Sequence, residues 1–99
     1  MSGSQDSLRQ RNGVEARPLP RGALLVDMNT GQCFRLNRVG AEIWTMLTSP
    51  TTASEVSARI ATRYGKPVAQ IDLEVRALLE LLVREQLVEV ATEASARVP

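Results

Sequence analysis

Few side chains in this sequence could carry out covalent or metal chemistry. There is one cysteine, Cys33, and no histidine among the 99 residues. Histidine is the usual general base and the commonest metal ligand, so neither a Cys–His nor a Ser–His–Asp arrangement can be built. Zinc would need several Cys or His ligands. The sequence therefore indicates no catalytic residue, no metal site and no cofactor, and we interpret Cys33 as a small hydrophobic residue in a strand.

The composition is that of one small domain. Hydrophobic residues make up 43% of the chain, and 12 Lys and Arg nearly balance 11 Asp and Glu. This balance argues against a nucleic-acid partner, because phosphate neutralisation supplies most of the affinity of such proteins. No run approaches the roughly 20 apolar residues of a membrane span, so no membrane partner is expected. The single cysteine and the absence of a signal segment favour the cytoplasm.

The elements that must position any functional residue begin with a predicted β-hairpin. Two segments predicted as strands, 23–26 and 32–36, flank a turn that contains Gly31, which tolerates the left-handed backbone of such turns. Residues 13–21 could add a first strand, although their two prolines restrict it to an edge. The expectation is either a hairpin or a three-stranded antiparallel sheet.

Two helices are predicted to follow the hairpin directly. Asn37 is a candidate N-cap for a first helix over residues 38–48. Thr52 and Glu55 have the spacing of a capping box that opens the second helix, and Gly65 is suited to end it.

A third helix is predicted from Val68 or Ala69 to Glu85. Its apolar stripe consists of Ile71, Val75, Leu78, Leu79 and Leu82. Leu81 lies off the centre of this stripe, on the flank of Glu74, where it either widens the core face or offers apolar surface to a partner. The run 87–90 then forms a short strand or packs down without one.

The predicted fold is α+β and winged-helix-like, with the hairpin or three-stranded sheet followed by three helices. The folded domain is expected at 13–90, between a disordered tail at 1–12 and a frayed tail at 91–99. This layout makes a winged-helix DNA-binding protein the alternative function. The third helix, however, interleaves Arg76 and Arg84 with glutamates that would repel phosphate.

The residues also resemble a known family. The stretch from Leu24 to Asn37, LLVDMNTGQCFRLN, continued by GAEIW, resembles the PqqD family of recognition elements for ribosomally made, post-translationally modified peptides. Glu74–Val75, with the leucines after it, looks like the third helix of that family. The Asp-x-x-x-Gly turn and Ile43–Trp44 look most like stand-alone lasso-peptide recognition proteins. The sequence departs from the family pattern in two places, because Cys33–Phe34 replaces a common aromatic pair and Gln86 replaces a common glycine.

The resemblance implies a specific function. Such domains bind the leader segment of a precursor peptide as an added strand, and present the precursor to a processing enzyme. For lasso pathways this enzyme is a leader peptidase resembling a transglutaminase-type cysteine protease. The residues expected to bind the peptide are Gln32, Cys33, Phe34, Arg35 and Leu36 on the receiving strand and Glu74, Val75, Leu78 and Leu81 on the third helix.

Two further expectations concern charge and self-association. Arg35 and Arg38 either pair with leader carboxylates or remain solvated, since exposed ion pairs contribute only about 0–1 kcal/mol. The chain is expected to be a monomer or a weak homodimer, because a vacant strand edge can pair with a second copy.

Overall fold

The computed structural model describes residues 6–91. Its elements, in chain order, are β1 (Leu8–Gln10), β2 (Val14–Leu19), β3 (Gly22–Asp27), β4 (Cys33–Asn37), α1 (Arg38–Met46), α2 (Ala53–Tyr64), α3 (Val68–Arg84) and β5 (Val88–Val90). No helix in this part of the chain is long and apolar enough to cross a membrane.

The main sheet is antiparallel, with β3 between β2 and β4. Leu25 lies opposite Phe34 and Ala23 lies opposite Leu36, so these four side chains share the inner face. The inner face packs against α1, whose Trp44 belongs to the same core. The predicted α+β fold, in its three-stranded form, is confirmed.

The turn between β3 and β4 is held by Asp27, which is only 5% exposed. Its carboxylate accepts a hydrogen bond from the Asn29 N–H at 2.9 Å, and its carbonyl accepts one from the Gly31 N–H at 2.7 Å. Gly31 has φ +82°, a conformation that side chains other than glycine rarely adopt. The turn therefore sets the register in which β4 leaves the hairpin.

The helix starts follow the predicted capping rules. The Asn37 side chain accepts a hydrogen bond from the Gly40 N–H at 2.8 Å at the start of α1. At the start of α2, Thr52 and Glu55 form the reciprocal capping box, with both bonds at 3.2 Å. Gly65 ends α2 in the left-handed conformation. α1 ends at Met46, two residues earlier than its predicted end at residue 48.

One core joins the sheet to the helices. It includes Trp44 of α1 and Ile60 of α2, and α3 contributes most of its predicted stripe. The buried residues of α3 are Ile71, Val75, Leu79 and Leu82.

A small second sheet corrects the prediction for the chain ends. β1 pairs antiparallel with β5, and the Leu8 N–H also donates to the Thr51 carbonyl at 2.7 Å. The predicted disordered tail over 1–12 is therefore wrong for Leu8–Gln10, because partners distant in sequence order this short strand. Ala91, placed in the predicted frayed tail, is buried and its N–H donates to the Ser7 carbonyl. The remaining tail predictions for 1–5 and 92–99 lie outside the described residues.

Candidate functional site

One open edge of the main sheet is formed by β4. In the described part of the chain, no strand pairs with the side of β4 that faces away from β3. At the hairpin, the Asp27 N–H donates to the Gln32 carbonyl at 2.9 Å. Bonded and non-bonded pairs alternate along an antiparallel ladder, so Phe34 directs its backbone groups toward β3. The N–H and C=O groups of Cys33 and Arg35 therefore point toward the open edge.

The opposite edge, formed by β2, is chemically different. The Met28 N–H donates to the Gly13 carbonyl at 2.7 Å. By the same alternation, Val14, Ala16 and Pro18 direct their backbone groups away from β3. Proline has no N–H, so this edge lacks a donor at residue 18. The outward-facing row of backbone donors and acceptors is therefore interrupted at Pro18 on β2, whereas on β4 both groups are present at Cys33 and Arg35.

A groove of about 290 Å³ lies between β4 and α3, and we call it the β4–α3 groove. Its lining consists of Arg35, Leu36, Asn37, Val39, Gly40, Ile43, Ile60, Ile71, Glu74, Val75 and Leu78. The floor is apolar, because Val75 is only 1% exposed and Leu78 is half-buried. An open strand edge beside an apolar groove supplies both main-chain partners and side-chain pockets for an extended peptide.

The structure brings together most, but not all, of the predicted peptide-binding residues. The β4–α3 groove is lined by Arg35, Leu36, Glu74, Val75 and Leu78. Cys33 and Phe34 lie on β4, with Cys33 exposed on the outer face and Phe34 half-buried on the inner face. Gln32 precedes β4, and its carbonyl is bonded within the hairpin. Leu81 is 40% exposed and is not part of the groove lining.

Sequence reasoning did not place six other lining residues in the groove, namely Asn37, Val39, Gly40, Ile43, Ile60 and Ile71. Asn37 was predicted only as a helix cap, and Val39 and Ile43 follow it on α1. Their helical spacing indicated a face directed toward the core, and the groove opens beside that face. Only the position of α1 relative to β4 shows that these side chains also border a cleft.

The two walls of the groove carry opposite charges. Arg35 projects from β4 and Glu74 from α3, and both are exposed. Within residues 6–91, neither takes part in an ion pair. The groove therefore offers a bound peptide one cationic and one anionic side chain across an apolar floor.

A polar network outside the groove lining joins α3 to α2. Arg76 Nε donates to Asp72 Oδ2 at 2.7 Å, and Ser57 Oγ donates to Asp72 Oδ1 at 2.8 Å. The bond from Arg76 is the main cause that lowers the pKa of Asp72 below its ordinary value, and the bond from Ser57 adds to it. The network holds the α3 wall of the groove against the rest of the domain. Among the described residues, no three Cys, Asp or Glu side chains are grouped to hold a metal ion.

Comparison with known proteins identifies the family. The family model for coenzyme PQQ synthesis protein D (PqqD) matches residues 22–88. The chain belongs to the PqqD family. A comparison with curated protein sequences found no match.

Solved structures share the PqqD-like fold at low sequence identity. TbiB1 in complex with the TbiA(beta) leader peptide is 23% identical, with a TM-score of 0.73 over 82% of this chain and 94% of that chain. Lasso peptide synthetase B1 complexed with the leader peptide is 20% identical, with a TM-score of 0.72 over 83% and 96%. The PqqD truncation of Methylobacterium extorquens PqqCD, described as a stand-alone RiPP recognition element, is 18% identical, with a TM-score of 0.75 over 88% and 93%.

One departure from the PqqD pattern has a clear conformational consequence. Gln86 follows α3 with φ +63°, in the left-handed region. The bond from the Leu87 N–H to the Leu82 carbonyl, at 2.9 Å, requires this reversal of the chain. A side chain other than glycine costs roughly 1–2 kcal/mol in this conformation. A glycine at this place would avoid that cost, and Gln86 is not part of the groove lining.

Proposed function

We propose that this chain binds the leader segment of a ribosomally synthesised precursor peptide, of the lasso type, by strand addition beside β4. The observation that carries the proposal is the set of outward N–H and C=O groups of Cys33 and Arg35 next to the β4–α3 groove. It is supported by two solved structures of the same fold that contain a leader peptide.

The geometry also favours a pattern for the bound peptide. An antiparallel strand bonded to Cys33 and Arg35 would place its intervening side chains opposite Phe34 and Leu36, on the inner face. Those side chains would point toward the apolar floor at Val75. The preferred leader segment therefore has apolar residues at alternate positions, with the residues between them directed to the outer face.

The interruption of β2 at Pro18 supports β4 as the receiving edge. Edge prolines are one way in which proteins prevent unwanted strand pairing. With β2 protected, a leader or a second copy of the chain would meet the β4 edge. Leader binding and a weak homodimer would then compete for the same backbone groups.

We propose further that the domain acts by binding rather than by catalysis and delivers its peptide to a separate leader peptidase. The sequence has no histidine to activate Cys33. The partner expected from lasso pathways is a peptidase of the transglutaminase-like cysteine-protease type. DNA binding is disfavoured because Arg76 of α3 is bonded to Asp72 and Ser54, which reduces its availability for phosphate.

The test of leader binding is a backbone-amide NMR titration with the leader of a candidate lasso precursor peptide. A scrambled leader is the control. The expected result is saturable shifts at residues 33–36 and 74–78 with the true leader and none with the scrambled one. Shifts that avoid both segments would contradict strand addition beside β4.

Delivery needs a separate measurement. A lasso leader peptidase is assayed for cleavage of the precursor with and without the purified domain. We expect the domain to raise cleavage of the intact precursor and to have no effect on a precursor that carries the scrambled leader. Equal cleavage of both substrates in the presence of the domain would refute delivery without refuting leader binding.

A further inference from the structure

A second concavity adjoins one end of the β4–α3 groove. This end pocket has a volume of about 610 Å³ and is lined by Leu19, Pro20, Arg21, Arg35, Leu36 and Asn37. The last three residues also line the β4–α3 groove. The two concavities therefore adjoin at the end of β4, and a peptide that runs past this end would pass beside the end pocket.

The end pocket is positively charged. Arg21 and Arg35 are exposed, and none of the lining residues is acidic. Within residues 6–91, neither arginine takes part in an ion pair or a side-chain hydrogen bond. Arg17 on the neighbouring β2 differs, because it pairs with Glu15 at 3.5 Å. Arg38, which follows the lining residue Asn37 in the sequence, is also exposed.

We propose that the end pocket binds an acidic side chain of the leader peptide, just outside the segment that pairs with β4. This inference rests on the proposed leader binding and adds a specificity position to it. Leu19 and Pro20 provide apolar walls for the methylene groups of a glutamate, and the guanidinium groups supply the planar donor arrays that suit a carboxylate.

An acidic anchor would solve a problem that strand addition leaves open. Backbone groups are common to all peptides, so the β4 edge alone does not set the register of the added strand. A carboxylate held at Arg21 lies at a fixed distance from the bonds at Cys33 and Arg35. The leader would then bind in one register, with its alternate apolar residues directed into the β4–α3 groove.

The test begins with a display library of random linear peptides selected on the full chain. Cys33 is the single thiol, and it is exposed on β4, so its alkylation reports whether a selected peptide covers this edge. Among peptides that protect Cys33, we expect enrichment of Asp or Glu at one end of an alternating apolar segment. The end at which the acid is enriched also gives the direction of the added strand.

Synthetic versions of one selected peptide, with Glu, Gln or Lys at the enriched position, are then titrated against variants of the protein. The wild type should bind the Glu peptide about fivefold more tightly than the Gln peptide, a difference that added salt should reduce. Arg21→Gln should abolish the preference and Arg21→Glu should favour the Lys peptide. Arg17→Glu, a charge reversal outside the pocket, should leave the order unchanged.

The outcomes separate the two hypotheses. Selected peptides that protect Cys33 but show no acid preference, or a preference that survives Arg21→Glu, would overturn the end-pocket inference alone. Selected peptides that leave Cys33 reactive and do not shift the amide signals of residues 33–36 would overturn strand addition beside β4 and this inference with it. Urea midpoints equal to that of the wild type establish that the variants are folded.

Discussion

Replacing Cys33 with proline tests strand addition at a single backbone donor. The register directs the Cys33 N–H away from β3, so the substitution removes a donor that the sheet does not use. Cys33 is the first residue of β4, a place where edge strands tolerate proline. The sheet already accommodates Pro18 in the same outward orientation on β2. Cys33→Pro is therefore expected to fold with close to wild-type stability.

The expected effect on binding follows from the loss of one main-chain hydrogen bond. A carbonyl group of the bound peptide would lose its donor, and leaving a shielded acceptor unpaired costs about 1–3 kcal/mol. This corresponds to about a 5- to 150-fold rise in Kd. Cys33 is exposed, so water can replace part of the lost bond. We therefore expect a rise at the lower end of this range, about 5- to 15-fold.

Two further variants separate the backbone effect from other effects. Cys33→Ala removes the thiol and keeps the N–H, and its Kd should stay within about twofold of the wild type. Phe34→Pro removes an N–H that faces β3, so it should lower the urea midpoint markedly even without peptide. All variants are titrated with the same leader peptide by isothermal calorimetry. If Cys33→Pro and Cys33→Ala bind equally well and are equally stable, the β4 edge does not receive the peptide.

Three other substitutions test the wall, the helix end and the polar network. Leu78→Ser should weaken leader binding about fivefold by removing apolar surface from the groove, whereas Leu73→Ser, at a position 75% exposed on the same helix, should not weaken it. Calorimetry measures the Kd of both variants, and equal losses of affinity would contradict this prediction. Gln86→Gly should raise the free energy of unfolding by about 0–1 kcal/mol, and Gln70→Gly within α3 should lower it by about 0.5–1 kcal/mol. If urea denaturation shows that both variants are less stable than the wild type, the strain argument is refuted. The pKa of Asp72 is lowered in the folded state, so its carboxylate stabilises the fold above its unfolded pKa, and this contribution is lost as pH falls through the lower folded pKa. The difference in stability between the wild type and Asp72→Asn should therefore shrink below about pH 4. A difference that does not depend on pH would contradict this assignment.

The parts of the structure that sequence reasoning predicted well depend on local chemistry. The Asn37 cap and the capping box of Thr52 and Glu55 each involve residues three positions apart, so the chain itself encodes the partner. The hairpin turn at Gly31 is equally local. Such features can be derived without knowing where any other element lies.

The parts that were missed depend on partners distant in sequence. Leu8–Gln10 is too short to show an alternating pattern, and it is ordered by β5 and by Thr51. The positions of Val39 and Ile43 in the groove lining were missed for a similar reason. Their helical spacing indicates that they face inward, but it does not show that a cleft lies beside that face. Pro18 shows an intermediate case. The sequence predicted an edge strand, and only the register showed that the missing N–H faces outward.

The structure also indicates which of the two partners would lose more conformational entropy on binding. The β4 edge is held on one side by the Asp27 turn and on the other by the Asn37 cap, and α3 is held by the Ser57–Asp72–Arg76 network. Both walls of the groove are thus supported before any peptide arrives, which reduces the entropy lost by the protein on binding. An extended leader segment would then bear most of that loss. Under the proposed leader binding, the ordering cost of a flexible ligand would offset part of the free energy gained at the preformed edge and would keep the affinity modest.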